Sequence, residues 1–167
     1  KAHQAAAADQ WLRQTFEAGL HPRLRTYNSA IDACARCSSV FRAERILDRM
    51  RSSYVNPDVT TCNLMIRALS NKGDDHGVQR WISAMVEYGP APDVVSYNTV
   101  LNMHSRRGDV TRAEKLLEEM GSLKVAPDVV SYSSVINACA KKRDPVRAEH
   151  WLISMSEANV PADRLTF

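Results

Sequence analysis

The sequence repeats itself at a fixed interval of 35 residues. The interval separates four prolines, which are Pro22, Pro57, Pro92 and Pro127. It also separates four aspartates, which are Asp58, Asp93, Asp128 and Asp163. Self-similarity at such a period is typical of stacked supersecondary units, each of which buries its apolar face against its neighbours. We therefore expect a repeat protein and not a single globular core.

Each period contains two predicted amphipathic helices. In the third period, apolar residues follow three- and four-residue steps from Tyr97 to His104 and again from Ala113 to Met120. This is the spacing of a helix with one buried face. Gly108 and Asp109 lie between the two stretches, where a glycine can end one helix and an aspartate can cap the next. The predicted fold is all-α, built from helix-turn-helix repeats.

The second helix of each period carries apolar columns that we interpret as the core between neighbouring repeats. One column contains Met50, Met85, Met120 and Met155. A second contains Leu12, Leu47, Ile82, Leu117 and Leu152. A third alternates Trp11, Trp81 and Trp151 with Ile46 and Leu116. A column of methionines or tryptophans could line a ligand site, but stacked repeats must bury this face against one another.

The period also places the repeat boundaries. We assign residues 1–23 to the second helix of a preceding partial repeat and residues 164–167 to the start of a fifth repeat. The four whole repeats, within one continuous solenoid domain, are residues 24–58, 59–93, 94–128 and 129–163. Both ends are apolar, at Trp11 and at Leu165 to Phe167, whereas terminal repeats usually have a polar outer face. We therefore expect further repeats or a partner to cover both ends.

The charge and the motif content favour a binding protein over an enzyme. The net charge is +3, which is compatible with a local basic surface that contacts nucleic acid. The sequence contains no histidine pair at i,i+4 spacing, no glycine-rich phosphate loop and no G-x-S-x-G motif, so we predict no catalytic activity and no cofactor. No apolar run reaches the roughly 18 residues that cross a bilayer, and we predict no membrane span.

The cysteines include one C-x-x-C pair, Cys34 and Cys37. Such a pair can bind zinc or carry redox chemistry. A zinc site needs a second pair of ligands, and the rest of the chain offers none at a matching spacing. Cys34 and Cys139 share one repeat position, and Cys62 replaces an aromatic residue of the first helix. We interpret these cysteines as small core residues and predict no metal site.

The repeated segments resemble pentatricopeptide repeats. The resemblance rests on the 35-residue period, the opening from Val94 to Thr99, the second helix from Ala113 to Met120, and the closing Pro-Asp. The tetratricopeptide repeat has a period of about 34 residues and a different first helix. The resemblance covers nearly all of the chain and recurs four times in phase. It implies a right-handed all-α solenoid whose first helices bind single-stranded RNA, one base per repeat.

The resemblance also implies which side chains read the bases. In each repeat they are the residue after the first-helix aromatic position and the last residue of the repeat. The pairs are Asn28 with Asp58, Asn63 with Asp93, Asn98 with Asp128, and Ser133 with Asp163. Asn with Asp implies uracil and Ser with Asp implies guanine, so the expected register is U-U-U-G, 5′ to 3′. Two alternatives stay open, since an aspartate after proline also suits a helix N-cap and an asparagine can be plain polar surface.

Two further columns complete the implied RNA site. The positions that would sandwich each base are Arg25, Thr60, Val95, Val130 and Leu165. Valine is common there in the family, and Arg25 could stack through its planar guanidinium. The basic residues that would contact phosphates are Arg36, Lys72, Arg106, Arg107, Lys141 and Lys142. Cations near helix C-termini also complement the helix dipole, which is the alternative to phosphate binding.

The family resemblance implies an organellar protein, of the mitochondrion or the chloroplast, that stabilises, processes or helps to translate RNA. The alternative is a scaffold subunit of a large organellar complex, because solenoid surfaces also bind protein. The departures from valine at Arg25 and Thr60 favour this alternative. The expected partners are therefore single-stranded RNA or, alternatively, protein subunits of a larger assembly.

Overall fold

Helices joined by short turns make up the part of the protein that the structure describes. This computed structural model describes residues 2–162, without the side chains of residues 2–6, 9 and 16. The described residues form nine α-helices and no strand, which confirms the all-α prediction. The helices are α1 (Ala2–Glu17), α2 (Leu24–Arg36), α3 (Val40–Ser52), α4 (Val59–Lys72), α5 (Asp75–Tyr88), α6 (Val94–Arg107), α7 (Val110–Ser122), α8 (Val129–Lys142) and α9 (Pro145–Glu157). None of them is long and apolar enough to cross a membrane.

The helices alternate in two sets that both follow the period of the sequence. The first helices α2, α4, α6 and α8 begin at residues 24, 59, 94 and 129, each 35 residues after the last. The second helices α3, α5, α7 and α9 begin at residues 40, 75, 110 and 145, again in steps of 35. Every first helix is therefore followed by a second helix at the same distance along the chain.

The chain divides into two compact units, which we call unit 1 (Lys1–Pro92) and unit 2 (Asp93–Phe167). In unit 1, α2 packs against α1, α3 and α4, while α3 also contacts α1 and α4, and α4 contacts α5. In unit 2, α6 packs against α7 and α8, and α8 packs against α7 and α9. Within each unit, a first helix therefore contacts both its own second helix and the first helix of the next repeat.

The turns within the repeats follow the predicted cap chemistry. Gly73 and Gly108 end α4 and α6 in the left-handed conformation, with φ of 82° and 65°, which glycine adopts without a steric penalty. Asp74 and Asp109 then cap α5 and α7, and each carboxylate accepts a backbone N–H three residues on. Pro145 occupies the first turn of α9, where its missing N–H leaves no donor unpaired.

The core contains most of the predicted second-helix columns together with apolar residues of the first helices. The methionine column is buried at all four positions, which are Met50, Met85, Met120 and Met155. Burying one such side chain stabilises a protein by about 1.5–3 kcal/mol. The tryptophan column is less uniform, because Trp81 and Trp151 are partly buried whereas Trp11 is 58% exposed. The prediction of a buried tryptophan is therefore wrong at Trp11.

Candidate nucleic-acid interface

Two of the asparagines that the sequence predicts as base readers lie near the start of the first helix of their repeats. Asn28 is the fifth residue of α2 and Asn98 is the fifth residue of α6, and both are partly buried. Arg25 and Val95 precede them by three residues. Residues three apart are neighbours on a helix surface. Each amide therefore shares its helix face with a residue that was predicted to sandwich a base.

In unit 1, Asn28, Asp58 and Thr61 form a closed set of hydrogen bonds, which we call the unit 1 triad. Asn28 Nδ2 donates to Asp58 Oδ1 at 3.2 Å. Thr61 Oγ1 lies 2.7 Å from Asn28 Oδ1 and 2.8 Å from Asp58 Oδ1. The backbone N–H of Thr61 donates to Asp58 Oδ1 at 2.8 Å, and that of Asp58 donates to Thr61 Oγ1 at 3.2 Å. The triad joins α2 to the start of α4.

In unit 2, Asn98, Asp128 and Ser131 form the unit 2 triad in the same way. Asn98 Nδ2 donates to Asp128 Oδ1 at 2.9 Å. Ser131 Oγ lies 2.6 Å from Asn98 Oδ1 and 3.0 Å from Asp128 Oδ1. The backbone N–H groups of Ser131 and Asp128 complete it, at 3.0 Å and 3.1 Å. This triad joins α6 to the start of α8.

The position of the hydroxyl proton follows from the geometry of the two triads. A hydroxyl has one proton, so it donates to only one of the two oxygens within its reach. The carboxylate holds the Nδ2 end of the asparagine, which leaves the amide oxygen 2.6–2.7 Å from the hydroxyl oxygen. Two oxygens at that distance need a proton between them. The hydroxyl therefore donates to the asparagine and accepts the backbone N–H of the aspartate.

The triads leave part of each amide for a ligand. A carboxamide has two donor hydrogens and two acceptor lone pairs. In each triad the carboxylate uses one hydrogen of Nδ2 and the hydroxyl uses one lone pair of Oδ1. One N–H and one lone pair of Asn28 and of Asn98 remain. The amide can thus offer a base edge both a donor and an acceptor, with each end held by the protein.

The carboxylates of both triads are held in the ionised form. Burial by itself would raise the pKa of Asp58, but hydrogen bonds from Thr61 and from the Asn28 amide outweigh it and leave that pKa below its ordinary value. The same balance lowers the pKa of Asp128, where burial is outweighed by hydrogen bonds from Asn98 and Ser131. Hydrogen bonds to a charged form favour that form. Each triad therefore carries a negative charge beside its amide.

The same aspartates are helix caps. Asp58, Asp93 and Asp128 are the N-caps of α4, α6 and α8, and each forms a capping box with the residue three positions on. The interpretation of these aspartates as caps is correct, and it does not compete with the asparagine contact. In both triads one oxygen, Oδ1, accepts the capping N–H and the amide N–H together.

Three of the other predicted readers lie on first helices or at their caps. Asn63 is a partly buried residue of α4 in unit 1, and Asp93 begins α6 in unit 2. Ser133 is partly buried on α8. Asp163 and Leu165 lie outside the described residues. Within the units, the structure brings together the predicted pairs Asn28 with Asp58 and Asn98 with Asp128.

The predicted sandwiching residues face solvent. Val95 and Val130 are 53% and 51% exposed, although both are apolar and lie in the first turns of α6 and α8. Arg25 and Thr60 occupy the corresponding positions of unit 1 and are also exposed. About half of each valine side chain is left for contact with a ligand.

The basic residues near the first-helix C-termini are exposed, and several have protein partners. Arg36 Nε pairs with Asp32 at 2.8 Å, and Arg106 Nε donates to Asn102 at 3.0 Å. Lys141 Nζ donates to the carbonyl oxygen of Arg106, 35 residues earlier, at 3.2 Å. This contact supports the role of a cation at a helix C-terminus. The remaining residues of the predicted set, Lys72, Arg107 and Lys142, are exposed.

Sequence reasoning missed the hydroxyl groups of the triads. Thr61 and Ser131 are fully buried, and their side chains fix the asparagine of the preceding repeat. The signal was present, because the same repeat position always carries a hydroxyl, at Thr26, Thr61, Ser96 and Ser131. Sequence reasoning also missed a second contact between repeats, in which Arg67 pairs with Asp32.

The cysteines behave as core residues. Cys34, Cys62 and Cys139 are buried, which confirms the prediction, and Cys37 is partly buried. Burial raises the pKa of the Cys62 thiol to about 11, so this thiol stays protonated at neutral pH. Among residues 2–162, with the side-chain gaps given above, no cluster of His, Cys, Asp or Glu could hold a metal ion.

Family models match most of the chain. The model described as a pentatricopeptide repeat domain matches residues 10–72 and 45–107. A model of the PPR repeat family matches residues 92–141, and a PPR repeat model matches residues 130–160. Comparison with curated proteins found no match.

Solved structures show the same fold. The maize pentatricopeptide repeat protein PPR10 is 24% identical, with a TM-score of 0.80 over 93% of this chain and 22% of that chain. PPR10 in complex with an 18-nt psaJ RNA element gives a TM-score of 0.84, again at 24% identity, over 93% of this chain and 23% of that chain. The PPR domain of Arabidopsis thaliana protein-only RNase P 1, in complex with tRNA, is 18% identical, with a TM-score of 0.75 over 97% and 86% of the two chains. This chain therefore spans less than a quarter of PPR10 but most of the RNase P domain, and its fold is an all-α solenoid of repeats.

Proposed function

Because this chain belongs to the pentatricopeptide repeat family, we propose that it binds single-stranded RNA along its first helices and reads one base per repeat. PPR10 and the PPR domain of RNase P 1 were both crystallised in complex with RNA. The shared fold supports the same class of ligand here. The proposal assigns binding to these repeats and no chemistry.

The observation that carries the proposal is the unit 2 triad and its surroundings. The Asn98 amide is held at both ends by Asp128 and Ser131 and keeps one donor and one acceptor. Val95 lies one turn before it, and Val130 directly precedes Ser131. Both valines are about half exposed, so a flat base that enters here gains two apolar contacts and a polar edge.

The register follows from the side chains at the reading positions. In the proposal, the triads of Asn28 and Asn98 each read uracil, whose edge has carbonyl oxygens and one N–H. The other predicted readers, Asn63, Asp93, Ser133 and Asp163, complete the order U-U-U-G. Besides Val95 and Val130, the sandwiching positions are Arg25, Thr60 and Leu165. The RNA is an organellar transcript in this proposal, which the protein stabilises, processes or helps to translate.

The phosphates are neutralised by the exposed basic residues in this proposal. These are Arg36, Lys72, Arg106, Arg107, Lys141 and Lys142. Contacts with phosphates make the affinity fall as salt rises, with a slope of about −0.7 per contact for single strands. Cations that serve only to complement helix dipoles would not give this slope when RNA is added.

The test is a binding measurement with matched RNAs at two salt concentrations. The RNAs carry U-U-U-G within a longer oligomer, and the third base is either uracil or guanine. We expect the wild-type chain to prefer uracil at that position and Asn98→Thr to shift the preference to guanine. Asn56→Thr, the same substitution in an exposed turn, should leave the preference unchanged. No binding, or binding that ignores the third base, would contradict the proposal and would favour the protein-binding scaffold.

A further inference from the structure

The hydroxyl groups of the two triads cannot touch RNA themselves. Thr61 and Ser131 are both 0% exposed, and they lie behind the amides of Asn28 and Asn98 at 2.7 Å and 2.6 Å. Any effect of these hydroxyls on a bound base must therefore act through the asparagine.

We propose that the buried hydroxyls of Thr61 and Ser131 are positioning groups that make the asparagine of the preceding repeat select uracil over cytosine. This inference rests on the proposed function, because it concerns how the same site distinguishes bases. It adds one selectivity-determining residue to each triad.

The asparagine amide of each triad is held at two points, by the carboxylate and by the hydroxyl. The carboxylate holds the nitrogen end and so decides which end of the amide faces it. A single anchor leaves the amide free to turn about that point. The hydroxyl holds the oxygen end, and two anchors fix both the plane and the direction of the amide. Fixed donors and acceptors are what a selective polar site requires.

Uracil and cytosine have nearly the same shape, but hydrogen-bond donor and acceptor are exchanged at two neighbouring positions of their polar edges. Uracil has a donor at N3 and an acceptor at C4, whereas cytosine has an acceptor at N3 and an amino donor at C4. A side chain distinguishes them only if its own donor and acceptor stay in place. An amide whose oxygen end is released can turn towards the cytosine amino group, and the distinction weakens.

A threonine in one triad and a serine in the other make the same contact. The two side chains differ only by the methyl group of threonine, and their hydroxyl oxygens lie 2.7 Å and 2.6 Å from the amide oxygen. The methyl group of threonine is therefore not needed for the contact. This equivalence supplies the conservative variants for a test.

The test compares Ser131→Ala with Ser131→Thr. Dissociation constants are measured for two RNAs that differ only in the third base, uracil or cytosine. We expect Ser131→Thr to keep the wild-type ratio of the two constants. We expect Ser131→Ala to lower it by about fivefold, which is what one neutral hydrogen bond is worth. In the free proteins, the side-chain amide protons of Asn98 should exchange with solvent faster in Ser131→Ala than in the other two.

The outcomes distinguish a failure of the proposed function from a failure of the positioning role alone. If the wild-type chain binds neither RNA, the proposed function fails and the selectivity fails with it. If the wild type prefers uracil and Ser131→Ala keeps the full ratio, only the positioning role is overturned. An equal loss in Ser131→Thr and Ser131→Ala would also overturn it, because packing and not the hydroxyl would then be responsible.

Ser131 belongs to the capping box of α8 and Thr61 to that of α4, so a second pair of variants tests the inference at the other triad while keeping the volume of the side chain. Thr61→Val keeps the shape of the side chain and removes the hydroxyl, while Thr61→Ser keeps the hydroxyl. With RNAs that vary at the first base, Thr61→Val should lose the preference for uracil and Thr61→Ser should retain it. A uracil preference that survives in Thr61→Val would overturn the proposal.

Discussion

The triads of unit 1 and unit 2 agree in their hydrogen bonds and differ in the side chains beside them. The distance from amide nitrogen to carboxylate is 3.2 Å in one and 2.9 Å in the other, and the hydroxyl contacts are 2.7 Å and 2.6 Å. The neighbouring exposed positions hold Arg25 and Thr60 in unit 1 but Val95 and Val130 in unit 2.

This comparison shows that the triad and the flanking side chains are determined by different features of the protein. The triad is built from a capping box, whose backbone N–H groups fix the carboxylate and the hydroxyl at the start of a helix. The cap of α4 therefore fixes the carboxylate and hydroxyl of the unit 1 triad, and the cap of α8 fixes those of the unit 2 triad. The flanking side chains project into solvent, and the fold does not depend on them. In the proposed function, a change of these residues alters the strength of RNA binding and leaves the triad in place.

The largest expected effect comes from removing the aspartate of either triad. Asp58→Ala and Asp128→Ala each lose a helix cap and a charged acceptor, so we expect both to lower the free energy of unfolding by about 2 kcal/mol. Urea denaturation measures the change. Asp→Asn at the same positions keeps a good capping residue and should cost less. A clear loss in only one unit would show that the triads are not equivalent.

Acid should weaken both triads together. The folded-state pKa values of Asp58 and Asp128 lie below the ordinary value of 3.8. A lowered pKa means that the carboxylates stabilise the fold above that value, and that this stabilisation disappears as the pH falls through the folded-state pKa. Thermal melts between pH 5 and pH 2, in steps of about one unit, should show a loss below about pH 4. The double variant Asp58→Asn, Asp128→Asn should show a smaller loss over the same range.

Two buried tyrosines also differ between the units, and we expect their substitutions to change the free energy of unfolding in opposite directions. Tyr27 Oη donates to Ser53 Oγ at 3.0 Å in unit 1. Among the described residues the buried Tyr97 Oη has no hydrogen-bond partner, and the position equivalent to Ser53 is Leu123. Tyr27→Phe should lower the free energy of unfolding by about 1 kcal/mol, and Tyr97→Phe should raise it by about 1 kcal/mol. Denaturation curves that move in the same direction would contradict the different hydrogen bonding of the two units.

The smallest expected effect is an exchange of flanking residues. Thr60→Val gives unit 1 the residue of unit 2, and Val130→Thr does the reverse. We expect the first to strengthen RNA binding by about threefold and the second to weaken it similarly, because the exchange adds or removes one methyl group that the base can bury. The preference for uracil should stay the same in both variants. A changed base preference would show that the flanking residues and the triad are not separate.

The sequence predicts the fold well because the fold depends on local and periodic features. Helix starts, glycine and aspartate caps and the methionine column all follow from spacing within one repeat. The hydrogen bond from Asn28 to Asp58 spans 30 residues and depends on how two helices are placed side by side. The sequence offered helix capping and base reading as alternatives for Asp58, and only coordinates show one oxygen accepting both N–H groups. In the same way, the contact of Lys141 with a carbonyl of the preceding repeat has no sequence signal.

The most direct test of the account is an NMR titration of the chain with an oligouridine, which follows the side-chain amide signals of Asn28 and Asn98. The account predicts that both signals shift with the same dissociation constant as the RNA binds, while the signal of Asn159, at the exposed end of α9, stays in place. RNA binding that leaves the signals of Asn28 and Asn98 unchanged would contradict the assignment of the triads as the base-reading site.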